Sequence, residues 1–587
     1  MNHIGISYGH LASVAAVTDG RLTHCVSEER FNRLKNSSGF PWLACQWVFN
    51  EIGGGGGGGG RGRVSSVNLF QETTVGYISL RGAGFYNYSF GAYLRPEANR
   101  PTPKNPEYAP RIDVTPFLLE EGQTTEIMQD RVNKANTFLA LATGTDTARL
   151  RHVNHQICHA LSTLPFLNGK NDRHLVFTLD GWGDELCASV SILSQTGELK
   201  VLRLTPAAAS IGMIYSRVTG LLGLRMYEHE YKVMGMSPYA HHDLSKKLSR
   251  DFESILSVDD DGNWILHVDQ GQRDQAVDDL ARHQRFDVLA GAVQDYLERM
   301  ISKWVRVWVR KTGIPDIACA GGVFMNVKAN MHLLEMNEVA FITITPSAGD
   351  ESAAIGAAVM GALSAGEKIL PADSLYLGRS FDEEEMKTAL SQTEASSRYK
   401  ISRPDNPEEA VAEILSQGQA VANFTGRAEF GARALGNRSI LADPRNPAII
   451  RFLNEAVKSR DFWMPFAPSI LTEKADDYLI NSKGVTSPFM MLGFRSTDLA
   501  KHHLPAALHP YDFTARPQFV SRDGTPGYHA LISEFEKRTG VGGVLNTSFN
   551  LHGEPIVDAP KDAISTLDRC GLAYLRLGPF ILEKMAA

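Results

Sequence analysis

LVFTLDGWGDELCASVSILSQTGELKV, residues 175–201, reads as a β-hairpin. LVFTLD is an apolar run of strand length, Gly181-Trp182-Gly183-Asp184 forms a turn, LCASVSIL is a second strand, and Gln195-Thr196-Gly197-Glu198 turns again. Residues 4–30 have the same layout. IGIS is apolar, Tyr8-Gly9-His10 turns, LASVAAV is apolar, Thr18-Asp19-Gly20 turns, and RLTHCVSEER follows. The identity between the two stretches is weak, but the order of strand, Gly loop, strand and Gly turn occurs twice.

A hairpin duplicated in this way predicts an α/β fold of the actin, Hsp70 and sugar-kinase architecture. In that arrangement two related halves close over a nucleotide, and each first hairpin loop offers backbone N–H groups to phosphates. Further along, AGAVQDYLERMISKWVRVWVRKT (290–312) has helical periodicity and stops before Gly313. IACAGGVFMN reads as a buried strand entering a Gly turn, and FITITPSAGD as a strand and loop before the Ala-rich helix ESAAIGAAVMGALSAG. Composition shifts to Pro, Asp, Ser and Glu near 365–407. The expected division is therefore a first domain at 1–365, a linker region at 366–407 and a second α/β domain at 408–587. Residues 53–60 are eight consecutive glycines, which cannot hold a strand or helix against their entropy. Residues 61–150 carry no legible motif.

The chain has 587 residues, 43% apolar and 21% charged, which suits a globular protein with a real core. A net charge of −7 gives no global attraction to nucleic acid or to an anionic membrane. The six cysteines, at 25, 45, 158, 187, 319 and 570, form no C-x-x-C pair. That argues against a disulfide scaffold or a thiolate zinc site and for a reducing, cytoplasmic setting. No signal-peptide pattern and no apolar run of about 18 residues is visible, so no membrane association is expected.

His155 and His159, in VNHQICHA, share one face if the stretch is helical, because i and i+4 are neighbours there. Two imidazoles on one face make half of a divalent-metal site. Asp180 ends the first strand of the 175–201 hairpin, and Asp350 sits in a Gly loop at the end of another strand. If those strand ends converge, two His and two Asp leave open positions on Fe(II), Mn(II) or Zn(II), as a catalytic site requires. The bland alternatives are a histidine pair without metal, a turn residue at 180 and a helix N-cap at 350.

GRAEFGARALGNRSILADPRNP (426–447) places Arg427, Arg433, Arg438 and Arg445 among glycines, with only Glu429 and Asp443 interleaved. Lys458 and Arg460 follow, then FWMPFAPS. Guanidinium forks bind phosphate bidentately, so the stretch predicts a pocket for a small, highly charged anion. Arg516 and VLNTSFNLHGEPIV (544–557) add a guanidinium, Asn546, Ser548 and Asn550, which suit a planar amide or carbamate.

SEERFNRLKN, NHQICHA, TLDGWGD, YKVMGMSPYA, AGGVFMN, AGDESAAIGAA, EFGARALGNRSILADPR, PFAPSIL and VLNTSFNLHGEPIV occur in this order. In them the chain resembles the O-carbamoyltransferases of nodulation-factor and antibiotic biosynthesis, over nearly all its length apart from about residues 50–150. The resemblance implies a first domain like the universal tRNA-threonylcarbamoylation protein, of the actin-like, duplicated ribonuclease-H-like group. It implies a second domain like the YrdC carbamoyl-adenylate synthases. The implied co-substrates are carbamoyl phosphate and ATP, with Mg(2+) as a further ion, and the acceptor is a hydroxyl of a small molecule.

By the resemblance, His155, His159, Asp180 and Asp350 match iron ligands, and His10 matches a histidine near the reacting carbamoyl group. Lys232, Gly321, Gly322 and Asn326 match the nucleotide side of the first domain. Arg427, Lys458, Arg516, Asn546 and Ser548 match the carbamoyl phosphate and ATP site, to which the residue pattern adds Arg433, Arg438 and Arg460. Relatives read FRPFAPS where this chain has Met464, so one guanidinium is missing or is supplied from elsewhere, for example by Arg460. Two rival readings are a tRNA threonylcarbamoyl transferase and a non-catalytic nucleotide switch of the actin and Hsp70 type. The acidic charge and the arginine pocket disfavour the first; the paired histidines and that pocket disfavour the second. A homodimer is a further expectation.

Overall fold

Alternating apolar residues in NHIGISY and SVAAVT form β1 (Asn2–Tyr8) and β2 (Ser13–Thr18), paired antiparallel with Ile4 opposite Ala16 and Ile6 opposite Val14. β3 (Arg21–Ser27) pairs antiparallel with β2. β4 (Tyr77–Leu80) lies parallel to β1, and β5 (Arg151–Val153) parallel to β4. The sheet order is β3-β2-β1-β4-β5. The computed structural model behind this description covers residues 2–8, 10–53, 77–80, 151–167, 169 and 171–585. The glycine run from 54 on, and 61–150 apart from β4, lie outside the described residues.

β6 (Arg173–Gly183), β7 (Leu186–Ser194) and β8 (Leu199–Pro206) repeat the antiparallel run. A separate small hairpin follows, β9 (Leu256–Val258) with β10 (Trp264–Leu266). β11 (Asp316–Ala320) then joins β6 in parallel, and β12 (Phe341–Ile344) joins β11. The second order, β8-β7-β6-β11-β12, has the same sequence of directions as the first. Two five-stranded sheets with one topology are a duplicated ribonuclease-H-like body, as the repeated hairpin predicts.

The Ala-rich helix Ala353–Ser364 packs on β1 and on the helix His155–Ser162 at very short range. A Cβ on Gly5 would stand 1.9 Å from the Ala354 carbonyl oxygen, and one on Gly356 would stand 1.8 Å from the Cys158 carbonyl oxygen. Only a hydrogen fits at either crossing. The predicted helix over 290–312 begins earlier, spanning Phe286–Thr312, and ends at Gly313 with φ 67°.

The chain divides into two compact units, Met1–Glu230 with Ala240–Ala372, and Tyr231–Tyr239 with Asp373–Ala587. This differs from the expected partition in two places. The stretch expected as a linker, 366–407, carries the helix Glu383–Gln392 and the strand β13 (Tyr399–Ser402), and its part from Asp373 on belongs to the second unit. Its polar composition reflects an edge position rather than disorder, because β13 is the terminal strand of its sheet. The nine residues 231–239 also belong to the second unit, although they lie far from it in sequence. There Trp463 Nε1 donates to the Lys232 carbonyl at 3.2 Å, and His509 Nε2 donates to the Gly235 carbonyl at 2.9 Å.

The second unit is built on an eight-stranded sheet. Its further strands are β14 (Val421–Phe424), β15 (Arg438–Ala442), β16 (Ala467–Leu471), β20 (Gln518–Val520), β21 (Gly543–Ser548), β22 (Tyr574–Leu577) and β23 (Phe580–Lys584). The order is β13-β23-β22-β14-β15-β21-β16-β20, and β17 (Leu479–Ile480), β18 (Phe494–Ser496) and β19 (Thr514–Ala515) make a smaller sheet. Phe424, Ile440, Leu545, Phe549 and Leu575 are fully buried in its core. Each contributes roughly 1.5–3 kcal/mol by leaving water.

Candidate active site

In the first unit, Asn154 Oδ1 accepts the backbone N–H groups of Gln156 and Ile157 and so starts the helix His155–Ser162. Asp184, across the β6–β7 hairpin, accepts the N–H of His155 at 2.7 Å. The helix that carries both histidines is thereby tied to the hairpin that carries Asp180. Gly183 is required there, because a Cβ would stand 2.2 Å from the His155 ring. The crossing at Gly356 sets the helix Ala353–Ser364 against Cys158, and Asp350 lies just before that helix.

His155 Nε2 is 3.0 Å from Asp180 Oδ2, 3.5 Å from Asp350 Oδ1 and 3.0 Å from His159 Nε2. His159 Nε2 is 3.6 Å from Asp180 Oδ2 and 3.8 Å from Asp350 Oδ1. One ligand atom from each of the four buried residues lies within 4.8 Å of the others. Two ligand atoms on one tetrahedral ion at about 2.1 Å lie about 3.4 Å apart, so the set fits a divalent cation. Asp350's carboxylate faces this cluster.

Burial lowers the His155 imidazole, and the neighbouring His159 lowers it further against the pull of Asp180 and Asp350. Burial also opposes protonation of His159, but its hydrogen bonds to Asp180 and Asp350 outweigh this and hold it at about 9. Two Nε2 atoms at 3.0 Å cannot both carry protons, so the pair shares one proton or one cation.

Gly321 and Gly322 follow β11 beside this cluster. Gly321 has φ 101°, and a Cβ on Gly322 would stand 2.9 Å from Asp180 Oδ1. The loop therefore brings bare backbone up to Asp180. His10 sits half-buried in the turn after β1. The other two residues expected on the nucleotide side have other partners. Asn326 Oδ1 caps the helix Val327–Glu335, and its amide exchanges hydrogen bonds with Gln294 at 2.9 and 3.0 Å. Lys232 lies in the segment that joins the second unit, with Nζ 3.1 Å from Asp461 Oδ2.

In the second unit the arginines divide into two groups. Arg438 is fully buried, stacks on Phe424 at 3.7 Å and donates to the carbonyls of Thr425 at 2.6 Å and Gly426 at 3.2 Å. Arg427 donates to the carbonyls of Gly378 at 3.0 Å and Leu377 at 2.8 Å. Arg445 pairs with Asp443. These three reach turn carbonyls or a neighbouring carboxylate, contacts that the sequence reading did not foresee. A guanidinium's five donors are as well matched to turn carbonyls as to phosphate.

Arg433, Arg460 and Arg516 form the other group. All three are half-buried, and Arg516 is held well below its usual value by burial and by the charges of Arg433 and Arg460. Burial also lowers Arg460, which stacks on Phe466 at 5.3 Å. Among the described residues neither Arg460 nor Arg516 has a carboxylate partner. Lys458 is buried, with Nζ 3.2 Å from Ser548 Oγ, 2.8 Å from Asn550 Oδ1 and 3.0 Å from the Asn550 carbonyl. Asn546 stands two residues before Ser548 on β21, where alternate residues share a face. Met464 is buried, its Sδ 3.2 Å from where a Cβ on Gly235 would lie. Sequence reading missed Gly183 and Asp184, whose turn pattern alone gives no hint that they face His155.

The chain thus carries a buried His and Asp cluster on a duplicated ribonuclease-H-like body and a group of guanidiniums on a second α/β unit. A family model described as the carbamoyltransferase N-terminus matches residues 113–359, and one described as the carbamoyltransferase C-terminus matches 412–584. The nodulation protein NolNO of Sinorhizobium fredii is 30% identical over 597 residues, covering 99% of this chain and 80% of that protein. The nodulation protein NolO of Bradyrhizobium diazoefficiens is 35% identical over 448 residues, covering 74% of this chain and 79% of that protein. The chain belongs to the carbamoyltransferase family. A solved structure, component A of the (R)-2-hydroxyglutaryl-CoA dehydratase of Acidaminococcus fermentans, aligns over 62% of this chain and 99% of its own at 13% identity. Its TM-score of 0.32 is too low to bear on the fold, which rests on the strand orders above. Among the described residues no helix is long and apolar enough to cross a membrane.

Proposed function

We propose that this carbamoyltransferase is ATP-dependent and works in two stages. In the second unit, carbamoyl phosphate is cleaved by water to carbamate and phosphate. The carbamate oxygen then attacks the α-phosphorus of ATP, forming carbamoyl-adenylate and releasing pyrophosphate. In the first unit, an acceptor hydroxyl attacks the carbamoyl carbon, AMP leaves, and the hydroxyl proton is taken by a base. The product is an O-carbamoyl ester of a small molecule, a natural product, sugar or nucleoside.

The observation that carries this reading is the mutual repulsion of Arg433, Arg460 and Arg516. Like charges held together at half-buried positions call for a multiply charged anion, and carbamoyl phosphate and the ATP phosphates are such anions. Lys458 is already fixed by Ser548 and Asn550, so its position is set before substrate arrives. His155, His159, Asp180 and Asp350 would hold a divalent metal, Fe(II) by family resemblance, which when bound neutralises an adenylate phosphate and polarises the carbamoyl oxygen. The bare backbone at Gly321 and Gly322 lets a nucleotide approach Asp180. His10 is the base proposed for the acceptor hydroxyl.

The decisive experiment is ATP–pyrophosphate exchange. The expected result is exchange that depends strictly on carbamoyl phosphate; exchange without it, or none with it, would remove the adenylate step.

A further inference from the structure

Lys458 ends a π turn, Asn454–Lys458, in which the Ser459 N–H reaches back five residues to the Asn454 carbonyl at 2.6 Å. Such turns are rare and cluster at functional sites. Ser459 then takes the left-handed conformation, φ 44° and ψ 43°, which is costly for any residue with a side chain. The chain thus bends sharply between Lys458, which is buried, and Arg460, which stacks on Phe466. Two irregularities in succession persist only where the surroundings hold them.

What holds them is Arg569-Cys570-Gly571, the segment after the helix Pro560–Asp568. The Gly571 N–H donates to the Ala456 carbonyl, in the middle of the π turn, at 3.0 Å. A Cβ on Gly571 would stand 2.8 Å from the Ala456 Cβ, whereas the Ala456 Cα and carbonyl oxygen would be at ordinary distances of 3.5 and 3.8 Å. Two residues earlier, Arg569 donates to both oxygens of the Glu554 carboxylate. The Glu554 carbonyl accepts from Asn550 Nδ2 at 2.6 Å, and the Leu551 carbonyl accepts from the same amide at 3.1 Å. Those bonds orient the amide, and Asn550 Oδ1 accepts from Lys458 Nζ at 2.8 Å.

One three-residue segment therefore grips the lysine's backbone on one side and its acceptor on the other. We propose that Gly571 and Arg569 are positioning residues that fix where Lys458 Nζ stands, without touching substrate themselves. Their weight in the reaction rests on the role proposed above for Lys458. Gly571 acts by letting its N–H come close to the π turn, which any side chain would push away. Arg569 acts through Glu554 and Asn550, and because that ion pair is partly exposed its share is the smaller.

The test reads Lys458 in the full chain in two ways. Labelling with acetic anhydride well below the melting temperature, followed by peptide mass spectrometry, reports on Nζ itself. Carbamoyl phosphate-dependent ATP–pyrophosphate exchange reports on its use. Gly571→Ala is expected to speed labelling of Lys458 roughly 10-fold and to lower kcat for exchange roughly 10- to 100-fold, with the KM for ATP little changed. Ala456→Gly removes the Cβ that the new methyl strikes, so adding it to Gly571→Ala should restore both readouts. Arg569→Gln introduces no clash and is expected to lower kcat roughly 2- to 5-fold. A lower melting temperature with labelling and kcat unchanged would make the segment merely structural and overturn the inference. A double variant as impaired as Gly571→Ala would overturn it too. If Gly571→Ala does not fold, Arg569→Gln decides, and wild-type labelling and kcat there would count against the proposal. A wild type without exchange, whose Lys458 labelling still responds as stated, would instead remove the adenylate step and leave the positioning of Lys458 standing.

Discussion

His155, His159, Asp180 and Asp350 bring opposite electrostatic characters together within 4.8 Å, whereas Arg433, Arg460 and Arg516 gather one sign. The first cluster is nearly self-sufficient. Its imidazoles and carboxylates already bond one another. The second sets like charges against Arg516, which lower it. Opposite charges can thus be satisfied within one cluster, while like charges gathered in another cannot satisfy one another.

Removing one imidazole strikes the first cluster alone. His155→Ala is expected to lower carbamoyl transfer at least about 100-fold and to abolish stoichiometric metal binding by elemental analysis. Carbamoyl phosphate-dependent ATP–pyrophosphate exchange should persist in the same preparation; equal loss of both would end the division of labour between units. Arg516→Ala addresses the other side. Loss of one charge-assisted contact is expected to weaken exchange roughly 10- to 100-fold. Because Arg516 is repelled in the free protein, the variant should be no less thermally stable than wild type without anion, and should gain less on adding phosphate. A drop in the anion-free melting temperature would show that Arg516 has a structural partner.

Glu28 is the acidic counterpart, a carboxyl that burial raises to about 7 although it accepts the N–H groups of Ala44 and Leu43. Its folded value lies above the unfolded one, so its contribution is fully present below pH 4.5 and is lost as pH rises toward 7. Chemical denaturation should show roughly 1 kcal/mol of stability lost per pH unit between about pH 5 and 7 from this group. Glu28→Gln should flatten that slope; an unchanged slope would assign it elsewhere. The smallest effect is expected at Lys232 and Asp461. Asp461 is a third exposed, so Asp461→Asn should change the stability of the second unit by less than about 1 kcal/mol. If Lys232 also contacts nucleotide, Lys232→Ala will raise the KM for ATP where Asp461→Asn does not.

The first unit was largely legible. A hairpin written twice is a local pattern, and so is a histidine pair at i and i+4, while Asp180 and Asp350 follow once strand ends converge. The cationic stretch was legible as a place but not as a list. Sequence counts guanidiniums without seeing carbonyls, so the turn contacts of Arg427 and Arg438 were not visible in it. Contacts between residues remote in sequence were illegible, as where Asn546 Nδ2 donates to the Ala434 carbonyl. The polar stretch at 366–407 misled for the same reason, since β13 finds its partner β23 near the other end of the second unit.

Residues 231–239 leave one unit, complete the other and return. This has a consequence for how the polypeptide is made and divided. During synthesis the segment emerges well before the rest of the body it completes, and Trp463 and His509 must later find the Lys232 and Gly235 carbonyls. A gene fragment beginning at 373 would encode the second unit without that piece. The two halves are therefore stitched rather than strung, and neither can be lifted out with a single cut.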